Sequence, residues 1–128
     1  MDNSQALPEP RRRALVVDDD PAIREFLTDF LEQQDFEVRT AQDGRTALAV
    51  FHAERFALIL VDFQMPDMTG LEMATEVRQT DPDIPIALIT GLAHILDTAA
   101  VVQAGISRIF PKPVSLEELS AWIHSLSL

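Results

Sequence analysis

Residues 58–70 read Leu-Ile-Leu-Val-Asp-Phe-Gln-Met-Pro-Asp-Met-Thr-Gly, and this segment indicates the fold more clearly than any other. Four successive apolar residues that stop at Asp62 are typical of a short strand buried on both faces of a parallel sheet. Thr69 is followed three positions later by Glu72, which is the spacing of a capping box at the start of a helix. The segment therefore predicts one strand and one helix joined by a short loop.

The same alternation extends towards both ends of the chain. The strands are predicted at 14–17, 36–40, 58–61, 86–89 and 108–110, and the helices begin near residues 21, 45, 70, 92 and 116. Parallel neighbours need a crossover connection, which is usually a helix, and right-handed crossovers place helices on both faces of the sheet. The sequence therefore predicts a doubly wound α/β domain in which five helices flank a five-stranded parallel sheet.

Capping residues mark the predicted helix boundaries. Asp20 is expected to cap the first helix, with Pro21 at its first position, and Ser115 opens a second capping box. Gly105 is expected to end a fourth helix that covers 92–104. The core face of the first helix follows the 3.6-residue period and comprises Ile23, Phe26, Leu27, Phe30 and Leu31.

Composition narrows the class of protein. The chain has 128 residues, of which 47% are hydrophobic, and no cysteine, which fits one globular domain and excludes disulfides and thiolate metal sites. No apolar run approaches the roughly 20 residues of a membrane span, and the N-terminus lacks the apolar stretch of a signal peptide. We expect a soluble, cytoplasmic protein with a flexible tail at residues 1–12 and one domain at 13–128.

The net charge of the chain limits the kinds of partner that it can bind. A formal net charge of −11 at pH 7 argues against direct nucleic-acid binding by this chain, because an acidic surface repels phosphate backbones. The one basic run, Arg11-Arg12-Arg13, is either a small docking site for an anion or a solvated flank before the first strand. We favour the solvated flank.

Polar side chains follow four of the five predicted strands at their carboxyl ends. They are Asp18 and Asp19 after the first strand, Asp62 after the third, Thr90 after the fourth and Lys112 just past the fifth. Because the carboxyl ends of parallel strands share one edge of the sheet, we expect these groups to meet in one crevice. Crowded carboxylates favour a hard divalent cation such as Mg²⁺, and a neutralised carboxylate can attack a phosphoryl group to give an aspartyl phosphate.

Four motifs together resemble the successive signatures of response-regulator receiver domains of two-component systems. They are VVDDDP at 16–21, LVDFQMPDMTG at 60–70, ITG at 89–91 and FPKP at 110–113. One such motif alone is a weak signal, whereas four in the same order and at matching intervals are a strong one. The resemblance covers nearly the whole chain from Arg13 onward, and it implies a flavodoxin-like sheet with strand order 2-1-3-4-5.

The resemblance also implies a metal site and a phosphoacceptor. Asp62 corresponds to the acceptor of the family. Asp19, Asp62 and the backbone carbonyl of Gln64 correspond to direct ligands of Mg²⁺ or Mn²⁺, and Asp18 to a residue that acts largely through water.

Two further residues correspond to groups that contact the phosphoryl group. Thr90 is expected to hydrogen-bond it, and Lys112 is expected to pair with the acceptor carboxylate or its phosphate. In such domains the proline that follows the lysine, here Pro113, is preceded by a cis peptide bond, and cis bonds are essentially confined to X-Pro.

The implied partners are proteins. A sensor histidine kinase or a histidine phosphotransfer protein would supply the phosphoryl group. A downstream target or output domain would bind through the face formed by the fourth helix, the fifth strand and the fifth helix. A homodimer is an open alternative, and no membrane partner is expected.

One position departs from the family pattern. Receivers usually carry Tyr or Phe three residues before the lysine, and that position is Ile109 here, with Phe110 next to it. Neighbouring strand residues point to opposite faces, so Phe110 is not expected to occupy the same cavity. We therefore expect the fourth helix to relay the signal, with part of its apolar set exposed, although a broad buried stripe is the alternative; the set is Leu92, Ile95, Leu96, Val101 and Val102.

Two other functions stay open at this stage. Asp18-x-Asp20 after the first strand also resembles the nucleophile motif of haloacid-dehalogenase-type phosphatases, which expect a second acidic pair where this chain has Thr90-Gly91. A phosphate-independent pseudo-receiver that only binds a partner is the other. The receiver interpretation is preferred, and it predicts a self-phosphorylating and self-dephosphorylating switch rather than a turnover enzyme. The methionine at position 1 favours a free-standing regulator or the N-terminal part of a longer one.

Overall fold

The computed structural model describes residues 12–128, in which strands and helices alternate. The strands are β1 (Arg12–Val17), β2 (Phe36–Ala41), β3 (Leu58–Asp62), β4 (Ile86–Thr90) and β5 (Arg108–Pro111). The helices are α1 (Pro21–Gln33), α2 (Gly44–Ala53), α3 (Gly70–Arg78), α4 (Thr98–Gln103) and α5 (Leu116–Ser125), and a 3-10 turn (Ala93–Ile95) precedes α4.

The strands form one parallel sheet with the order β2-β1-β3-β4-β5. This confirms the predicted doubly wound α/β fold and its strand order. At the carboxyl edge, Val17 of β1 lies opposite Val61 of β3, and Asp62 lies opposite Ile89 of β4. The register therefore brings the residues that follow β1, β3 and β4 to the same edge.

The sheet divides the core into two layers, because successive side chains of a strand point to opposite faces. Ala14 and Val16 of β1 pack with α1 and α5, whereas Leu15 and Val17 pack with α2 and α3. The first layer takes Leu27, Phe30, Leu31, Leu119, Trp122 and Ile123 from its helices, and the second takes Ala47, Phe51, Met73, Ala74 and Val77.

The predicted caps of the helices are present. Asp20 accepts the Ala22 N–H at 2.9 Å, and Pro21 begins α1. Both bonds of the capping box join Thr69 and Glu72 at the start of α3. At the start of α5, Ser115 Oγ accepts the Glu118 N–H at 3.2 Å, but the return bond of the predicted capping box is not formed between these two residues. These local signals were sufficient to fix where three helices begin.

The fourth helix differs from the prediction. Instead of one helix over 92–104, the chain forms the 3-10 turn and then a six-residue α4. The Asp97 side chain accepts the Ala99 N–H at 3.0 Å, and the Asp97 backbone is extended, so an N-cap interrupts the predicted helix. Gly105 follows α4 with a φ of +79°, as expected of a glycine just after a helix.

Two smaller predictions also need correction. Phe26, which the helical period places on the core face of α1, is 48% exposed. Arg12 belongs to β1, so the strand begins one residue before the predicted boundary of the domain. Residues 1–11 lie outside the described residues, and the predicted tail stays a prediction. Within residues 12–128, no helix is both long and apolar enough to cross a bilayer.

The described part of the basic run is engaged with the protein itself. Arg13 Nε lies 2.8 Å from the carboxylate of Glu37 and 3.2 Å from that of Glu54. The Arg12 guanidinium lies 5.4 Å from the centre of the Phe36 ring. These contacts favour the flank interpretation over an anion-docking site.

Candidate functional site

Three carboxylates meet where the strand order reverses, between β1 and β3. Asp18 and Asp19 directly follow β1, and Asp62 is the last residue of β3. One carboxylate oxygen of each lies within 4.8 Å of those of the other two. In open α/β sheets this reversal of strand order opens a crevice at the carboxyl edge, and ligands bind there. The crevice predicted from the strand ends is therefore present.

Asp18 is the most tightly held of the three. Its side chain is almost fully buried, and one carboxylate oxygen accepts the Asp20 N–H at 2.9 Å. Arg24, one turn into α1, donates to the backbone carbonyl of Asp18 at 2.6 Å. Sequence analysis did not single out Arg24, because a basic residue on a helix carries no signal for a contact with the preceding loop. Together these bonds fix the turn from β1 to α1.

Lys112 lies between two of the carboxylates. Its Nζ is 3.3 Å from Asp18 Oδ2 and 3.3 Å from Asp62 Oδ1. The backbone supports this position, because the Lys112 N–H donates to the carbonyl of Thr90 at 3.0 Å. The Lys112–Pro113 peptide bond is cis, which confirms the expectation for Pro113. Asp19, the exposed member of the set, leaves the crevice open to solvent on its side.

The pKa values of two side chains in the crevice are raised, for different reasons. Burial raises the pKa of Asp62, and the neighbouring charge of Asp18 raises it further, which outweighs the effect of Lys112. Burial alone would lower the pKa of Lys112, but the charges of Asp18 and Asp62 more than offset it, and the pKa is raised. The crevice thus has more negative charge than one lysine neutralises.

These observations test whether a divalent cation fits. Oxygen donors from three carboxylates converge within 4.8 Å, and hard cations such as Mg²⁺ prefer oxygen ligands, with one or two carboxylates and several waters. Burial first and the charge of Asp18 next raise the pKa of Asp62, and a bound cation would favour its ionised form. The carboxylates of the crevice therefore fit a divalent cation such as Mg²⁺.

Thr90 ends β4 at the rim of the same crevice and is buried. Its hydroxyl oxygen accepts the Leu92 N–H at 2.9 Å. This bond ties Thr90 to the start of the segment that contains the 3-10 turn and α4.

The loop between β3 and α3 (63–69) carries Gln64, whose side chain is exposed. The loop is closed at its base, where the Gly70 N–H donates to the carbonyl of Phe63 at 2.8 Å. A methyl group on Gly70 would lie 2.5 Å from the carbonyl oxygen of Asp62 and 2.8 Å from Leu88 Cδ1. The absence of a side chain at Gly70 thus lets α3 approach β3 closely.

Ile109, at the position where receivers usually carry Tyr or Phe, and its neighbour Phe110 point to opposite faces of the sheet, as predicted. Phe110 is buried in the first layer, with its ring 5.7 Å from that of Trp122. Ile109 is partly buried against the second layer. The ring of Phe110 therefore does not take the place of a side chain at position 109.

Part of the apolar set of the fourth helical segment is exposed. Ile95 is 64% and Val102 is 70% exposed, whereas Val101 is buried. Leu92 and Leu96 are half-buried. The expectation that one core face does not cover the whole set is met.

An apolar groove of about 540 Å³ opens beside Lys112. It runs between α1 and the loop that joins β5 to α5, and its lining includes Phe26, Pro113 and Val114. Phe26 therefore faces this groove rather than the buried core.

The fold and the crevice define a doubly wound α/β domain whose site consists of carboxylates and one lysine at the topological switch point. A family model described as "Response regulator receiver domain" matches residues 14–124. The chain belongs to this family of two-component signalling domains. Receiver domains act as phosphorylation-driven switches, and a two-component system implies a histidine kinase partner.

Curated relatives agree with the assignment. The chain is 40% identical over 114 residues to the response regulator MprA of Mycolicibacterium vanbaalenii, and 38% identical over 114 residues to MprA of Mycobacterium avium. The alignments cover 89% of this chain and 49% and 50% of those proteins. The chain thus spans about half the length of the curated relatives it matches.

Solved structures agree as well. A CheY-like receiver domain from Methanospirillum hungatei superposes with a TM-score of 0.85 at 31% identity, covering 91% of this chain and 93% of that one. The response regulator TrrA of Thermotoga maritima, solved in complex with Mg²⁺-BeF, gives a TM-score of 0.81 at 32% identity, covering 89% and 97%. Neither the fold nor the family favours a haloacid-dehalogenase-type phosphatase.

Proposed function

We propose that Asp62 accepts a phosphoryl group from a histidine kinase or a histidine phosphotransfer protein in a reaction that depends on Mg²⁺ or Mn²⁺. The observation that carries the proposal is the position of Asp62, which is 3.3 Å from Lys112 and shares the crevice with Asp18 and Asp19. The solved complex of TrrA with Mg²⁺-BeF supports it by similarity.

The transfer is a displacement at phosphorus. A carboxylate oxygen of Asp62 attacks the phosphorus atom of the donor while the bond from phosphorus to the donor nitrogen breaks. The donor histidine keeps that electron pair and takes up a proton. Later attack by water on the aspartyl phosphate releases inorganic phosphate and restores Asp62, so each phosphorylation produces one switching event rather than repeated turnover of a substrate.

The surrounding residues hold the reacting atoms. Asp19, Asp62 and the carbonyl of Gln64 would bind the cation, with Asp18 acting through water, and the bound cation supplies charge neutralisation for the carboxylates and the phosphoryl oxygens. Lys112, which contacts Asp62 at 3.3 Å, would pair with a phosphoryl oxygen after Asp62 has reacted.

Thr90 links the site to the surface formed by α4, β5 and α5. If its hydroxyl turns to the phosphoryl group, the bond from the Leu92 N–H is lost, and the segment at 92–103 is released. The surface formed by α4, β5 and α5 carries the exposed Val102, and the 3-10 turn before α4 carries the exposed Ile95. We expect this surface to bind a target, an output domain or a second copy. Amide shifts on addition of beryllofluoride should be large over 92–103 and small at Ile109; the reverse pattern would contradict the relay.

Phosphate incorporation tests the acceptor directly. Incubation with Mg²⁺ and acetyl phosphate, or with a phosphorylated kinase, should add one phosphate that is stable to mild acid and labile to base. Asp62→Asn should take up none, and Asp29→Asn on the exposed side of α1 is the matched control. Equal labelling of Asp62→Asn and the unaltered chain would refute the assignment, and steady release of phosphate from added monoesters would favour a phosphatase. Failure to take up any label under all these conditions would favour a pseudo-receiver.

A further inference from the structure

The loop at 63–69 is attached to the rest of the protein at its tip as well as at its base. Asp67 reaches across to the start of α2, where one carboxylate oxygen accepts the Gly44 N–H at 2.9 Å and the other accepts the Arg45 N–H at 2.8 Å. Hydrogen bonds to an ionised acceptor are about twice as strong as neutral ones. The first free N–H groups of a helix also favour a negative charge.

Met68 makes a second contact at the same place. Its side chain lies directly against Gly44, close enough that a methyl group on Gly44 would lie 2.5 Å from the Met68 sulfur. The tip of the loop is therefore attached to α2 by two hydrogen bonds to the Asp67 carboxylate and by the apolar contact of Met68. Both attach a segment that is far from α2 along the chain.

The N-terminus of α2 already has a capping residue of its own. Asp43 accepts the Thr46 N–H at 2.8 Å, which is the ordinary N-cap bond. Asp67 thus supplies a second carboxylate to a helix that is already capped. Its distinctive effect is on the loop, where its two hydrogen bonds at the tip add to the apolar contacts of Met65 and Met68.

We propose that Asp67 is a positioning residue that orients the backbone carbonyl of Gln64 towards the cation site. The inference rests on the proposed function, since it assumes that the Gln64 carbonyl is a ligand. Gln64 lies between the acceptor Asp62 and the attachment point, so a loop fixed at both ends limits the directions in which that carbonyl can point. Groups that orient a metal ligand typically change metal affinity when they are removed.

Three variants separate loop positioning from helix capping. Asp67→Ala removes both bonds, Asp67→Asn keeps one oxygen acceptor, and Asp43→Ala removes the ordinary cap while leaving the loop attached. Mg²⁺ affinity is measured by amide shifts of residues 62–65 during titration with the metal alone, and stability by urea unfolding without metal.

Asp67→Ala should weaken Mg²⁺ binding roughly 10-fold, at the lower end of the effect of losing a group that orients a ligand. Asp67→Asn should recover part of the affinity. Asp43→Ala should lose stability and bind Mg²⁺ as the unaltered chain does. Unchanged affinity in Asp67→Ala, or equal weakening in Asp43→Ala, would overturn the inference. An unaltered chain that binds no Mg²⁺ would instead overturn the proposed function on which it rests.

Discussion

At the scale of single residues, the site brings three carboxylates and one ammonium group close together. Asp18 and Asp62 are buried, Asp19 is exposed, and Lys112 contacts both buried carboxylates. A lysine shared in this way leaves net negative charge in a poorly hydrated place, which raises the free energy of the metal-free fold. The site is therefore expected to reduce stability in exchange for reactivity.

Asp62→Asn should stabilise the metal-free protein at neutral pH. The folded-state pKa of Asp62 is raised, by burial first and by the charge of Asp18 next, so the ionised form destabilises the folded state once the pH exceeds the unfolded-state pKa. The advantage of the variant in free energy of unfolding should be small near pH 4, grow as the pH rises through the folded-state pKa and then level off. Urea unfolding at several pH values checks this, with Asp29→Asn as the control. If the advantage of Asp62→Asn over the unaltered chain shrank as the pH rose, the predicted sign would be wrong.

Lys112→Arg should accept phosphate but fail to switch. Arginine keeps the charge, but its planar guanidinium is wider than an ammonium group and would not fit between two carboxylates that are each 3.3 Å from Nζ. Beryllofluoride should still shift the amides near Asp62, while the shifts over 92–103 shrink or vanish. If the amide shifts over 92–103 in this variant were as large as in the unaltered chain, Lys112 would not be needed for switching.

At the scale of elements, sequence patterns located the strands but not every helix. The five strands and the caps at Asp20 and Thr69 follow from local signals, and the structure has them. The predicted helix over 92–104 is wrong because Asp97 caps a new helix start inside this segment. The roles of Arg24 and Asp67 were missed for a different reason: both depend on contacts with backbone groups outside their own element, and a single sequence carries no signal for such contacts.

The start of α3 should be intolerant of any side chain at its first residue. In Gly70→Ala the new methyl group would meet the Asp62 carbonyl at 2.5 Å, and relief requires a backbone shift that costs about 1–3 kcal/mol. Gly91→Ala is the matched control, since a methyl group there meets nothing within 4 Å. The midpoint of urea unfolding measures both. Equal midpoints for the two variants would show that α3 adjusts without cost.

At the scale of the molecule, one sheet holds the site at one edge and separates two apolar layers. The strand ends are fixed by the parallel register of the sheet, so most of the site is already arranged before any ligand binds. Binding of a cation is then expected to act mainly on charge and to leave the fold as it is.

Mg²⁺ should raise the thermal stability of the whole domain. A ligand that binds only the folded state adds about 2.7 kcal/mol at 100 times its dissociation constant. Asp19→Asn should weaken this effect and also stabilise the metal-free protein, because it removes one of three carboxylates that lie within 4.8 Å. Melting curves with and without MgCl₂ measure both effects. A metal-free Asp19→Asn protein that melts below the unaltered chain would contradict the repulsion argument.

Lys112 is the only lysine in the chain, so covalent chemistry directed at side-chain amines has a single target. Because neighbouring carboxylates keep that amine protonated, it should react slowly with acylating reagents while the crevice is negatively charged. Anything that neutralises the carboxylates should expose a more reactive amine, unless a phosphoryl group takes their place as its partner. The mass of one tryptic peptide after brief acylation would then report the ionic state of the crevice, with no engineered label.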